Sequence, residues 1–380
     1  MLPDPRVFPA PGDADGASHA LHDLAQRSLA AGVRARAAAV DHDIDARLDA
    51  LFAARDGTAL ARALASSPSA AIHRHLWRAL VDAVDRAQSA AFGPVLFALP
   101  VVIVAASDDA DEHACDAIVA APGELAAILV EHGALGGNRQ FALSGALCAA
   151  QAIDVPSLPA LLHAAASSAT EGAASAPVDL APAPFVALPG AERVHLRFLV
   201  GSALAAASSS PTRDASVGAW GVPLTRALSR ALSMRGASIV ALPRAPQSLP
   251  AAVATGRSVQ RDASAALFAS DAIRRLRGAV GEPVAVISAH RVEGAGTGGE
   301  IRLSLSSPLE PREAQGFRCP LTPLDNVAEV VAMLAQLVRD CRVGDVRTLA
   351  GVHPDRDAAT GLTLLFKPDS VPPGAEVVAH

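Results

Sequence analysis

Val284-Ala-Val-Ile-Ser-Ala-His-Arg-Val292 and Ile301-Arg-Leu-Ser-Leu-Ser-Ser-Pro-Leu309 flank the segment Glu293-Gly-Ala-Gly-Thr-Gly-Gly-Glu300, and together they carry the plainest structural signal in the chain. In the second run Ile301, Leu303 and Leu305 alternate with Arg302, Ser304 and Ser306, the two-residue period of a strand with one face on a core. The pattern predicts a β-hairpin with a long glycine loop. Gly294, Gly296 and Gly299 fit the spacing Gly-x-Gly-x-x-Gly. A dinucleotide fingerprint, however, needs a helix after the loop, because the pyrophosphate rests on that helix's N-terminal amides. A strand follows here, so the loop reads as a hairpin connection.

Downstream, Val327, Val330, Val331, Leu334, Val338 and Cys341 form a helical stripe, with Asn326 and Glu329 placed as a capping box. A second hairpin is expected from 346–352 and 361–367. Upstream, strands are expected at 194–200 and 237–243 and helices at 222–234 and 249–278. In the strand at 194–200, Val194, Leu196, Phe198 and Val200 share one face and His195 and Arg197 share a polar one. The region 191–380 therefore reads as an α+β domain of antiparallel hairpins with helices covering one sheet face.

Residues 167–190 are rich in Ala, Ser and Pro and read as a linker. Before them, 91–166 has the flavour of an α/β unit. The apolar run 92–106 is too short for a bilayer span and contains two prolines, so it reads as a strand buried on both faces. A helix at 122–132 with Pro122 in its first turn, a strand at 140–148 and a helix at 156–166 follow. In residues 1–90 apolar side chains recur at helical spacing, as in Ile72, Leu76, Leu80 and Val84, with Gly57 as punctuation. This predicts a helical N-terminal region of three or four helices. The fold class expected overall is mixed α and β, α+β.

Composition narrows the chemistry. Of 380 residues, 51% are hydrophobic and 18% charged, which suits a large packed core. Lys367 is the sole lysine, and its neighbours Phe366 and Pro368 suit neither a phosphate-binding loop, a pyridoxal Schiff base nor a kinase active site. A formal net charge of −6 without a basic stripe argues against nucleic acid as a partner. Four cysteines, Cys115, Cys148, Cys319 and Cys341, stand far apart, which fits buried thiols in a reducing compartment. The N-terminus has no charged segment leading into an apolar stretch, so a soluble cytoplasmic chain without a membrane segment is expected.

Two groups of residues offer chemistry. Asp108, Asp109, Asp111 and His113 directly follow the buried strand at 92–106, where carboxylates and an imidazole would suit a divalent metal; the competing reading is a solvated acidic turn at a helix start. His290 at the end of the first hairpin, with His353 and Asp355 in the loop of the second, would gather imidazole, carboxylate and guanidinium groups if the hairpins are neighbours. His73, His75 and Trp77, and the stretch Asp41-His-Asp-Ile-Asp45, read as helix surfaces. No Gly-x-Ser-x-Gly, His-Glu-x-x-His or Ser-x-x-Lys occurs. The expectation is a non-catalytic assembly or scaffold component with a protein partner or self-association and no cofactor. The alternative is a metal-assisted hydrolase at 108–113.

Overall fold

In the computed structural model, the described residues are 14–31, 34–90, 94–105, 114–115, 118–119, 121–135, 141–170, 180–183, 185–186, 193–204, 217–232, 237–241, 245–279, 281–292, 299–307, 309, 314–366 and 377–379. They form a mixed α+β fold. The chain divides into two compact units, Met1–Ser66 with His75–Gln260, and Ser67–Arg74 with Arg261–His380.

The first unit begins with four helices, α1 (Ala14–Ala30), α2 (Arg34–Ala53), α3 (Gly57–Ala65) and α4 (Ala70–Ala90). Leu21, Ile44, Leu48, Leu60, Leu76 and Leu80 are buried. These aliphatic side chains sit on single helix faces, the three-to-four-residue period that packs one helix on another. Asp56 caps α3 through its carboxylate, which accepts from the amide of Ala59 at 2.9 Å. Of the residues read as helix surface, His75 Nε2 lies 3.1 Å from the Asp41 carboxylate, and that carboxylate also accepts from Ser28 Oγ at 2.6 Å. The polar contact between α2 and α4 is thus part of the packing.

After β1 (Pro94–Ala105), β2 (Ala114–Cys115), α5 (Pro122–Glu131), β3 (Phe141–Cys148), α6 (Leu158–Thr170) and β4 (Phe185–Val186), the chain continues through β5 (Val194–Leu204), α7 (Val217–Ala231), β6 (Ala237–Ala241) and α8 (Leu249–Ala279). The sheet order is β3-β5-β1-β6, antiparallel at every pairing. The strands on both sides of residues 167–190 therefore share one sheet. Central β1 is buried on both faces. Phe97, Leu99, Val101 and Ile103 pack with Leu125 and Leu129 of α5 and Trp220, Leu224 and Leu228 of α7. Burial on two faces is what a parallel strand also shows, which is why apolar content alone could not give its direction.

Proline in a central strand would ordinarily cost a ladder bond. Here Ala98 exchanges both backbone bonds with Gln247, at 2.8 and 3.0 Å, and the pairing with β6 resumes only at Val102. Backbone N–H groups alternate sides along a strand, so the missing donor of Pro100 falls on that same side, in the gap between the two contacts. The face of β5 that carries His195 and Arg197 is polar, as expected, but only partly open to solvent. Both are half-buried, because the same face continues into Leu199 beneath α5 and α7. Burial and then the nearby Arg197 hold the His195 imidazole below its ordinary value.

The second unit holds α8 from Arg261 onward together with β7 (Val284–Arg291), β8 (Gly299–Ser306), β9 (Gln315–Pro320), α9 (Val327–Asp340), β10 (Asp345–His353) and β11 (Val377–Ala379), with the sheet order β11-β10-β7-β8-β9. The first hairpin forms in the expected register, from Val284 opposite Ser306 to Arg291 opposite Gly299. Gly294 and Gly296 lie outside the described residues. The second hairpin does not form as expected. β10 pairs parallel to β7 on one side and antiparallel to β11 on the other, while 361–366 contributes only an isolated bridge, Arg356 to Thr363. The helix α9 between the hairpin strands and β10 carries the chain across the sheet, and that crossover lets β10 enter beside β7 in the same direction. The register along β10 shifts between Thr348 and Val352, where Gly351 takes a left-handed φ of +85°.

Ala285, Ile287, Ile301, Leu303, Leu305 and Cys319 face Ile273 and Leu276 of α8 and Val330, Leu334 and Val338 of α9. Val327, read as part of the α9 stripe, is instead exposed. Asn326 caps α9, accepting from Ala328 N at 3.1 Å while its amide donates to Glu329 Oε1 at 3.0 Å. Glu329 therefore braces the cap side chain instead of reaching the backbone. Asn326→Ala is expected to lower stability by about 1 kcal/mol, read from denaturant unfolding; an unchanged midpoint would remove the cap from this account.

Candidate functional site

The second face of β7 and β8 holds the polar residues that alternation turned away from the helices, and it is buried. Arg302 is 0% exposed, and Ser288, His290, Glu300, Ser304 and Ser306 are buried with it. Its cover is the chain after β10. Leu365 lies where a Cβ on Gly316 would stand, and Phe366 stacks near the His290 ring at a centroid distance of 5.9 Å.

Arg302 organises this face. Its Nε donates to Glu300 and its Nη2 meets both Glu300 and the Asp355 carboxylate. Its Nη1 donates to two backbone carbonyls, Asp355 O at 2.6 Å and Leu364 O at 2.8 Å. A guanidinium has five N–H donors in a rigid fork, and this set of partners occupies all of it. Arg318 on the neighbouring strand adds Nε bonds of 3.0 Å to both oxygens of Glu300. The bonds from Arg302 to Asp355 and Leu364 clamp both ends of the segment 354–366 onto the sheet.

Beside this network lies an imidazole relay. His290 Nδ1 is 2.8 Å from Pro354 O, a pure acceptor, so Nδ1 carries the proton. Nε2 is then the acceptor for the Ser288 hydroxyl, also at 2.8 Å. His353 lies with its ring 5.8 Å from that of His290 and 4.7 Å from Phe366, and its Nε2 is buried with no hydrogen-bond partner. Burial comes first among the causes that hold His290 below its ordinary value of 6.5, and the charges of Arg302 and His353 act the same way. The Pro354 carbonyl and Glu300 pull in the other direction without prevailing.

The structure thus brings His290, His353 and Asp355 onto one face. The adjacency comes from parallel pairing of β10 with β7, not from two neighbouring hairpins. Sequence reading left out Arg302, Glu300 and Ser288, although the alternation of Arg302 and Ser304 with Ile301 and Leu303 placed them together on one side. Asp108, Asp109, Asp111 and His113 lie outside the described residues. Among the described residues no group of three or more His, Cys, Asp or Glu side chains is arranged to hold a metal ion.

Comparison with known proteins adds no relative. No family model, curated protein or solved structure matches this chain.

Chemically, Ser288, His290 and the Pro354 carbonyl have the order of nucleophile, base and orienting group. Yet Ser288 is 1% and His290 2% exposed, beneath Phe366. A nucleophile acts only on what reaches it, so in this closed form the relay saturates buried polar groups. Two of the thiols are equally quiet: burial pushes Cys148 up to about 12 and Cys319 up to about 11. Among the described residues no helix is long and apolar enough to cross a membrane.

Proposed function

We propose that this chain is a cytoplasmic, non-catalytic assembly component that works through protein–protein contacts, with the segment 354–366 as the surface it presents. The observation that carries the reading is the direction in which the polar groups point. The most charged buried cluster among the described residues spends its donors inward, on the carbonyls and carboxylate that hold this segment. On its outer side Leu362 is 69% exposed, and Val352, at the end of β10 just before the segment, is 64% exposed.

The segment is also braced internally. The Asp357 carboxylate accepts from the amides of Ala359 and Thr360 and from the Thr360 hydroxyl at 3.0, 2.8 and 2.9 Å, and Gly361 takes the left-handed turn that follows. These bonds hold Asp357 below the usual carboxylate range. A loop already ordered loses little entropy on binding, which favours its use as a contact surface.

Light scattering on the purified full chain tests this. The expected mass is a multiple of the monomer's, or that of a stoichiometric complex after co-purification, and Leu362→Asp with Val352→Ser should return it to the monomer. A wild-type chain that stays monomeric without a stoichiometric partner would sink the reading, as would an assembly indifferent to both substitutions.

A further inference from the structure

We infer that the segment 354–366 is an acid-released strap, lifted from the sheet when the buried His290 imidazole takes up a second proton. The inference stands apart from the assembly reading, since it concerns how the segment is held and not what it meets.

In the neutral ring each nitrogen has its complement: Nδ1–H donates to Pro354 O and Nε2 accepts from Ser288 Oγ, both at 2.8 Å. Protonation turns Nε2 into a donor, so the Ser288 hydroxyl must turn its lone pair to the ring and its own hydrogen loses the acceptor it had. It also places a cation at a site 2% exposed. Among the described residues, charged and titratable groups of this cluster come from several elements. From β8 come Glu300 and Arg302, from β9 Arg318, from the end of β10 His353, and from the strap Asp355 and Arg356. Glu300 is already held by two guanidinium groups and Asp355 by Arg302, with Arg356 3.8 Å from its carboxylate. Neither carboxylate is free to neutralise a new charge. Among the described residues Pro354 and Phe366, both in the strap, cover the ring, so lifting the strap exposes it to water.

The closed form holds His290 below its ordinary 6.5, whereas an exposed ring returns toward that value. The open form therefore binds the extra proton. Closure is complete above 6.5 and weakens as the pH falls below it. One proton taken up on opening raises the open population by up to about tenfold per pH unit in that window.

Hydrogen exchange on the full chain reads this directly, at the amides of Asp357 and Leu364, which bond Leu362 O at 2.9 Å and Asp355 O at 3.1 Å. Rates are corrected for the intrinsic pH dependence of exchange and referred to β8 amides. Between about pH 7.5 and about pH 5.5, the wild-type strap should lose protection selectively, and His290→Gln should abolish the response. His353→Gln leaves the Ser288–His290–Pro354 relay in place and should keep it. Equal strap protection at both pH values, equal loss in β8, or a response abolished by His353→Gln would overturn the inference. Should His290→Gln fail to fold, NMR titration of the His290 ring in the wild-type chain decides, because its protonation must coincide with strap opening.

Discussion

Arg302→Ala is expected to destabilise the second unit by about 3–5 kcal/mol, a large share of the roughly 5–15 kcal/mol that holds a typical domain together. The side chain is 0% exposed and its donors serve Glu300, the Asp355 carboxylate and the carbonyls of Asp355 and Leu364. Truncation leaves these acceptors short of donors in a largely buried site, and it opens a cavity under the strap. Arg302→Lys should recover little, since an ammonium is a point charge and cannot span two carbonyls and two carboxylates. The fitting control is Arg318→Ala. That arginine binds the same Glu300 but is 52% exposed, so its loss should cost under about 1 kcal/mol. Denaturant unfolding measures both, and hydrogen exchange should place the Arg302 loss first in 354–366. An Arg302→Ala chain within about 1 kcal/mol of wild type would show that the network is not what fastens the strap.

Gly57→Ala is expected to destabilise the first unit by about 2–3 kcal/mol, although the same change in an open helix position stabilises. Alanine is the better helix former and restricts the unfolded chain, effects worth about 0.4–1 kcal/mol in its favour. At Gly57, however, a Cβ would stand 2.0 Å from the carbonyl oxygen of Pro156 and 2.6 Å from its carbon. The obstacle is backbone and cannot rotate away. Its segment is pinned by Val155 N to Asp154 Oδ1 at 2.8 Å, Ser157 N to Asp154 O at 2.9 Å and Ser157 Oγ to Gln151 O at 3.0 Å. Gly123, near the start of α5, meets nothing within 4 Å of its added Cβ, so Gly123→Ala should be neutral or stabilising. Opposite signs at the two glycines are the result to look for in thermal or denaturant unfolding. Loss of equal size at both would point to helix starts in general and away from the Pro156 contact.

Gly57 also illustrates what could be read in advance. As a letter in the sequence it is punctuation between helical stretches, and that reading is correct as far as it goes. The tight approach of α3 to Pro156 leaves no trace in the residues around it. The hairpin of β7 and β8 was legible because alternation encodes which side chains face a core. The cap of α9 was legible because Asn326 acts on its own next turn. β9 escaped notice, since Gln315-Gly-Phe-Arg-Cys-Pro320 is short, half polar and an edge strand, with little apolar alternation to display.

Of the candidate residues, His290, His353 and Asp355 were chosen on chemistry and a supposed adjacency. Their meeting depends on β10 lying parallel to β7, and strand direction is set by the crossover and the backbone ladder, whose hydrogen bonds are the same for any side chains. Arg302 read from sequence as a polar residue on the outer face of a strand. Its burial comes from carbonyls 53 and 62 positions later in the chain, which fold back over that face.

By itself, then, the amino-acid sequence determined where most helices and strands form and which side of them is apolar, β9 and the strand expected at 361–367 excepted, because the periods of 3.6 and 2 are local consequences of backbone geometry. Only the tertiary structure decided which strands are neighbours, in which direction they run, and that the polar side of β8 is covered as thoroughly as the apolar one. Those outcomes rest on contacts between segments far apart in the chain, where a carbonyl or a carboxylate gains its meaning from the partner brought to it.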